Sequence, residues 1–373
     1  MRIGVPKEVK VHEYRVGLTP ESVRQLSARG HRVLVQSGAG AGIGADDAAY
    51  RAAGASIAAS PAEVYGEAEL VVKVKEPLAA ERALLRPGQA LFTYLHLAPD
   101  REQARDLVAS GAIAIAYETV TGAEGGLPLL APMSEVAGRM AIQVAAHYLQ
   151  RPQGARGVLL AGAGGVEAPR VLVLGAGVVG ANAATVAVRM GARVTLLSRS
   201  EEPMRRLAAA LDGSLATGIS TPSAIAAALR DADAVVGGAL VAGALAPRLV
   251  TRAMLAGMRP GAVMVDVSID QGGCFETSRA TTHADPVYLV DGILHYCVAN
   301  MPGAVPRTST YALNNATLPY VLSLADSGIA AALRDDPRLR DGLNVCRGAV
   351  TRPEVAAAVG CPYVPADGAL AGL

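Results

Sequence analysis

Arg170-Val-Leu-Val-Leu-Gly-Ala-Gly-Val-Val-Gly-Ala-Asn-Ala-Ala-Thr-Val-Ala-Val-Arg-Met190 decides the fold of this chain. Arg170–Leu174 is a short run of apolar, mostly branched residues, the pattern of a strand covered on both faces. Gly175, Gly177 and Gly180 follow at once in G-x-G-x-x-G spacing, with Val179 inside the turn, and Ala181–Met190 continues as a helix of small residues. In such a turn the first glycine permits the tight bend, the second lets backbone approach a pyrophosphate, and the third lets helix pack on strand. The helix start adds unpaired N–H groups and a positive dipole end for the phosphates. Glycine spacing alone is a weak signal. The strand before it, the helix after it and a second strand at Arg193–Leu197 together predict a dinucleotide site.

The end of that second strand bears on which dinucleotide is bound. It reads Ser198-Arg199-Ser200, with no acid before Glu201. An acid here bonds the ribose 2′-hydroxyl of NAD, whereas an Arg among hydroxyls accommodates the 2′-phosphate of NADP. Glu201 or Glu202 reaching the ribose, with Arg199 solvated, is the equal alternative, so NAD and NADP both stay open. Two other glycine clusters are read differently. Gly38–Gly44 is followed by Asp46 and Asp47, which repel phosphate, and is taken as a flexible loop; Gly162–Gly165 is taken as a connecting loop.

Outward from this unit, short apolar strands alternate with helical stretches. Arg32–Val35, Leu70–Val74, Ile113–Tyr117, Ala234–Val236 and Ala262–Val267 are further strand candidates. The alternation implies an α/β fold with parallel sheet. Val171–Val188 is 18 uncharged residues long, but its glycines fall where a strand–turn–helix unit bends, so it is not read as a membrane span. A boundary is expected near Leu127–Pro132, followed by a helix over about Ser134–Leu149. A second long helix, about Ser309–Leu324, contains Pro319, where a kink is expected. The remaining tail is short for an independent domain and is expected to return to the first one. The predicted division is 1–128 with 308–373, and 129–307.

Composition narrows the function. A hydrophobic share of 51% excludes a mainly disordered chain, and a net charge of +1 gives no reason to expect nucleic acid or an anionic membrane as partner. Eleven Tyr, two Phe and no Trp leave little for base-stacking platforms. The four cysteines fit neither a zinc pattern nor C-x-x-C, so no metal and no disulfide framework is expected, and a reducing cytosol is the default. Met1–Arg15 lacks the apolar core of a signal peptide. Lysine occurs only at Lys7, Lys10, Lys73 and Lys75 against thirty arginines, so a retained Lys either marks a need for a compact ammonium or is a chance survivor.

Several residues stand where ligands bind, outside the carboxyl ends of strands. Lys75 closes the run Val-Val-Lys-Val-Lys-Glu-Pro, sharing a strand face with Lys73. His96 closes Leu-Phe-Thr-Tyr-Leu-His and suits proton exchange near neutral pH. Arg15 can clamp a carboxylate bidentately. Read singly, His96 is equally a core histidine, and Arg15 is more readily a solvated surface residue. Asp266 and Asp270 lie in VMVDVSIDQGGCFETS, with Asp270 before Gly272-Gly273 and either facing a cleft or capping the turn. His295, Cys297, Asn300 and Met301 lie in LHYCVANMPGAVPRTS, where Asn300 suggests a polar lid or cofactor contact.

Taken together, MRIGVPKE, RVGLTP, VKVKEP, TYLHLA, APMSEVAGRMA, GAGVVG, VDVSIDQGGCFETS and HYCVANMPGAVPRTSTYALNNATLPY resemble the L-alanine dehydrogenase family over almost the whole chain. The resemblance implies a Rossmann-type, doubly wound parallel sheet inserted in a discontinuous α/β substrate domain. It also implies a cytoplasmic homohexamer, and reversible conversion of L-alanine to pyruvate and ammonium with a nicotinamide dinucleotide. It further implies that Arg15 and Lys75 bind the substrate carboxylate and that His96 is the acid–base group. Asp270 would assist proton transfer and hold water or ammonia, Ser134 would contact cofactor phosphate, and the Asn300–Met301 segment would lie by the nicotinamide. Three departures stand out: Ser198 replaces the family's Asp, Leu245 replaces a lysine in Gly238–Pro247, and the Ala161–Val166 loop differs. The rival expectation is the nucleotide-binding component of a proton-translocating transhydrogenase, which needs no carboxylate clamp.

Overall fold

The computed structural model of the protein describes residues 1–239 and 246–371; Leu245 lies outside them. Two compact units emerge, Met1–Met133 with Gly303–Leu373, and Ser134–Pro302.

The first unit is built on an eight-stranded sheet. Its first six strands are β1 (Arg2–Val5), β2 (Arg32–Gln36), β3 (Ser56–Ala58), β4 (Leu70–Val72), β5 (Ala90–Thr93) and β6 (Ile113–Ala116). They lie in the order β3-β2-β1-β4-β5-β6, and every neighbouring pair is parallel. The second unit carries β7 (Arg170–Leu174), β8 (Arg193–Ser198), β9 (Leu215–Ile219), β10 (Ala234–Gly237), β11 (Val263–Asp266), β12 (Val287–Val290) and β13 (Ile293–Tyr296). The order is β9-β8-β7-β10-β11-β13-β12, with only the β12–β13 edge hairpin antiparallel. The tail returns to the first sheet as β14 (Leu343–Cys346) and β15 (Ala349–Val350), with β14 antiparallel to β6. The dinucleotide-type unit is thus inserted in a discontinuous α/β unit.

The strand sequences follow from position. β4, β5, β6, β10 and β11 are buried at every residue, which is why they read as nearly continuous apolar runs, with buried Thr93 closing β5 and buried Asp266 closing β11. Each fully buried Val or Leu contributes about 1.5–3 kcal/mol of transfer free energy. Edge strand β9 is mostly exposed, and its sequence is correspondingly mixed.

Two features differ from the sequence expectation. The strand predicted through Val74 stops at Val72, so Lys73–Lys75 lie in the connection beyond it and strand alternation does not govern them. The helix expected from Ser134 begins at Ala131, with Pro132 in its first turn. The helix Pro306–Ser327 runs through Pro319. No single helix among the described residues is long and apolar enough to cross a membrane; one bent pair, Pro306–Ser327 with Ile329–Asp335, passes on length and composition alone. Val171–Val188 forms β7 and most of the helix Val178–Arg189.

Candidate functional site

In the unit Ser134–Pro302, the glycine turn shows three separate constraints. Gly175 has φ +102°, a conformation that disfavours side chains, and a Cβ there would lie 2.8 Å from the Gly238 carbonyl oxygen. A Cβ on Gly180 would lie 1.8 Å from the Gly175 oxygen, so the helix meets the strand end through bare backbone. Gly177 precedes the helix Val178–Arg189 with ordinary φ and ψ, and a Cβ there would meet nothing within 4 Å. Space reserved at an exposed helix start suits a bulky anion approaching the amides, so these residues fit a dinucleotide pyrophosphate. Val179 is half-buried, and its carbonyl oxygen would lie 2.3 Å from a Cβ on Gly138. That contact seats this helix against Ala131–Tyr148, which carries half-buried Ser134 in its first turn.

β8 ends at half-buried Ser198, whose hydroxyl accepts from the Ser200 amide at 3.4 Å. Arg199 is exposed. Glu202 is engaged by Arg205 and Arg206, whose hydrogen bonds hold its carboxyl below the ordinary range.

The loop after β11 separates its two aspartates. Asp266 is fully buried and accepts from the amides of Ser268 at 3.0 Å and Cys274 at 2.9 Å, and from the Ser278 hydroxyl. Burial raises its pKa against those hydrogen bonds. It organises the loop that follows. Asp270 lies in the short helical turn Ile269–Gln271 and is exposed. Asn300 has φ +65° and is half-buried, and its carbonyl oxygen lies 3.3 Å from His283 Nε2. Met301 is 3% exposed and packs in the core beneath the sheet. His295 is fully buried between the Thr277 hydroxyl, 2.8 Å from Nε2, and the Ile293 carbonyl, 3.0 Å from Nδ1. Cys297 is buried as well, and all four cysteines are free thiols.

In the other unit, the switch point of the sheet lies between β1 and β4. Here the turn after β1 holds charged side chains instead of a glycine triplet. Arg15, 2% exposed, pairs with Glu13 and places Nη1 3.0 Å from Met133 Sδ. Burial opposes its charge, but the Glu13 carboxylate outweighs that and raises the guanidinium pKa. A Cβ on Gly17 would lie 2.4 Å from the Val72 carbonyl oxygen, so the Arg15 segment lies directly on the end of β4. Asn314 fixes that segment: its Oδ1 accepts from Thr19 N at 2.8 Å and its Nδ2 donates to Gly17 O at 3.0 Å.

Glu8 holds the segment beyond β4. It accepts from the amides of Val74 at 2.7 Å and Lys75 at 3.3 Å, and it pairs with Lys73 at 3.2 Å. Lys73, wholly buried, also pairs with Glu81 at 2.7 Å. Burial opposes its charge, but the two carboxylates raise its pKa. Its compact ammonium thus serves the connection. Lys75 is 7% exposed, with Nζ 3.6 Å from Glu76 Oε2. Burial pushes the Glu76 carboxyl up, but Lys75 and Lys10 outweigh it and bring it below the ordinary range.

His96 follows β5 at φ +49°, a conformation costing about 1–3 kcal/mol for a residue with a side chain. Its ring stacks on Tyr94, with centroids 5.8 Å apart and an interplanar angle of 6°. Its amide donates to Glu118 Oε1 at 2.6 Å. Sequence reasoning missed Glu8, Glu13, Glu118 and Asn314. The only available signal was a carboxylate or amide close in sequence to a strand end. Elsewhere, Gly38 N donates to Asp47 at 2.8 Å, so an internal carboxylate already takes that glycine-rich turn's amide. No group of three or more His, Cys, Asp or Glu among the described residues is placed to hold a metal ion.

Residues 4–137 match the family model described as alanine dehydrogenase/PNT, N-terminal domain, and residues 141–353 match its C-terminal domain. An alanine dehydrogenase of Halomonas elongata is 56% identical over 98% of this chain and 99% of its own. That of Mycobacterium tuberculosis H37Rv is 52% identical over the full length of both. A solved L-alanine dehydrogenase superposes with a TM-score of 0.92 at 47% identity, covering 96% of this chain and 99% of its own. A transhydrogenase from Sinorhizobium meliloti superposes at 0.81 and 26% identity, covering 94% and 100%.

Proposed function

The chain belongs to the alanine dehydrogenase/PNT family, and on that premise we propose how its residues carry out the reaction. It is an NAD-dependent amino-acid dehydrogenase, interconverting L-alanine, oxidised cofactor and water with pyruvate, ammonium, reduced cofactor and a proton. The observation that carries this reading is full-length identity to alanine dehydrogenases, at 56% for the Halomonas elongata protein. Which nicotinamide dinucleotide it prefers is a finer matter, since Ser198 and Arg199 suit either a ribose diol or a 2′-phosphate.

Gly175, Gly177, Val179 and Gly180 would hold the pyrophosphate, with Ser134 at a phosphate and the Asn300–Met301 backbone beside the nicotinamide. When bound, the cofactor accepts or gives the hydride. Arg15 and Lys75 bind the substrate carboxylate; two cations offset an anion removed from water. His96 takes a proton from, or returns it to, the heteroatom on the reacting carbon. Asp270 assists that transfer and holds the water or ammonia. In the reductive direction pyruvate and ammonia lose water to give an imine, and the protons released and consumed pass through His96 and Asp270. The same reading makes residues 1–128 with 308–373 the substrate domain and 129–307 the cofactor domain, in a cytoplasmic homohexamer.

The test is one assay. Purified protein is given pyruvate and ammonium with NADH or NADPH in parallel, and loss of reduced-cofactor absorbance is followed. Turnover with either supports the reaction, and the ratio assigns the cofactor. No turnover with either overturns the reading and favours a transhydrogenase-like component.

A further inference from the structure

We propose that Glu118 is the positioning residue for His96, fixing both its backbone and the nitrogen that exchanges protons. This rests on the reading of His96 as the acid–base group. Glu118 sits in the helical turn Tyr117–Thr119 just after β6, the parallel neighbour of β5, so the two strand ends bring it beside His96. Its carboxylate accepts the Leu95 amide at 3.2 Å through both oxygens and the His96 amide at 2.6 Å through Oε1. Two successive amides on one anion hold a turn that would otherwise relax, because His96 carries a positive φ without being glycine.

The same Oε1 lies 3.9 Å from His96 Nδ1. That is too long for a hydrogen bond but close enough for a carboxylate to favour the tautomer with hydrogen on Nδ1. Nε2, across the ring, is then the nitrogen left to accept a proton. The ring plane is set separately, by stacking on Tyr94, whose hydroxyl donates to Leu129 O at 2.5 Å. Tyr94 in turn packs edge-on against Tyr117, the residue before Glu118. His96 is thus held by its backbone and ring face, and its Nδ1 edge faces a carboxylate. Glu118 governs the first and third.

Glu118→Gln keeps the shape and one acceptor oxygen while removing the charge. A merely structural Glu118 therefore predicts near-normal kinetics for this variant. Our proposal expects kcat to fall by about 10²-fold, the lower end of what a positioned acid–base group contributes, with pyruvate KM within about threefold of wild type. Glu118→Asp should recover part of the loss, and Glu118→Ala should lose more, along with some stability. The independent readout is ¹⁵N-histidine NMR of the holoenzyme at a pH where the ring is neutral. Wild type shows His96 with hydrogen on Nδ1, and Glu118→Gln shifts the population toward Nε2–H. Unchanged kcat with an unchanged tautomer overturns the proposal. His96→Ala separates the two readings. If it keeps turnover, the acid–base role fails whatever Glu118 does. If it is inactive while Glu118→Gln resembles wild type, the Glu118 proposal alone fails.

Discussion

Glu13 and Arg15 meet fork to fork across a separation of two residues: Arg15 Nε donates to Glu13 Oε1 at 2.7 Å and Nη2 to Oε2 at 2.5 Å. Their side chains are 0% and 2% exposed. The guanidinium proposed to bind the substrate carboxylate thus already has a carboxylate of its own. Removing that partner takes the carboxylate from a buried guanidinium, so Glu13→Ala should destabilise the protein by about 3–5 kcal/mol. Glu13→Gln, which keeps an acceptor, should cost less. Urea midpoints check the order; equal midpoints for all three proteins would show that the pair carries no stability.

Gly177 and Gly180 should separate binding from folding. Gly177→Ala meets no protein atom within 4 Å and should fold normally. It should weaken NADH binding about tenfold, a loss of about 1.4 kcal/mol. Gly180→Ala forces a Cβ into the Gly175 carbonyl and should lower the melting temperature. Fluorescence titration and thermal unfolding read the two effects. Normal NADH affinity in Gly177→Ala would remove the pyrophosphate from that turn.

Ser198→Asp places a carboxylate at the end of β8. The NADH over NADPH preference in kcat/KM should rise by about tenfold or more, because the carboxylate accepts from a ribose diol and repels a 2′-phosphate. An unmoved ratio would mean that the ribose lies elsewhere.

His96→Ala and Asp270→Asn should each lower kcat by about 10²–10⁴-fold while leaving the NADH dissociation constant near wild type. Steady-state rates and cofactor titration check both statements. Near-normal turnover in either variant refutes the role assigned to that residue.

His295 should give stability a measurable pH dependence. Burial holds its pKa below the ordinary 6.5. Between those two values the unfolded chain binds more protons, so this contribution is full above 6.5 and falls as pH drops through the folded value. The stability difference between wild type and His295→Asn should therefore grow from acid toward neutral pH and then level off. A flat difference would mean that His295 is not held neutral.

Much of the second unit was legible because glycine and branched apolar residues answer to local constraints. Gly175 needs its positive φ, and β10 and Val263–Val265 of β11 are apolar and buried throughout. Strand β1 was less readable: it is four residues long and contains Gly4, where a Cβ would lie 2.7 Å from the Ala68 Cβ, so packing on a distant residue selects it. The polar supports share that difficulty. Glu8 acts on a segment 66 residues away, and Asn314 reaches Gly17 across 297. No local period encodes either. The two aspartates at and beyond the end of β11 show the converse limit: a sequence places both near the strand end, but only tertiary packing buries Asp266 and leaves Asp270 exposed.

Both sheets repeat one winding scheme, β3-β2-β1-β4-β5-β6 in the first and β9-β8-β7-β10-β11-β13 in the second. Part of what distinguishes the two halves therefore lies in the chain that leaves each opening strand. Where that chain is Gly175–Gly180 it carries three glycines and no charged side chain; where it is Pro6–Gly17 it carries Glu8, Glu13 and Arg15, all buried. A redesign that exchanged only these two short inserts would ask whether a half can trade its ligand class while keeping its scaffold.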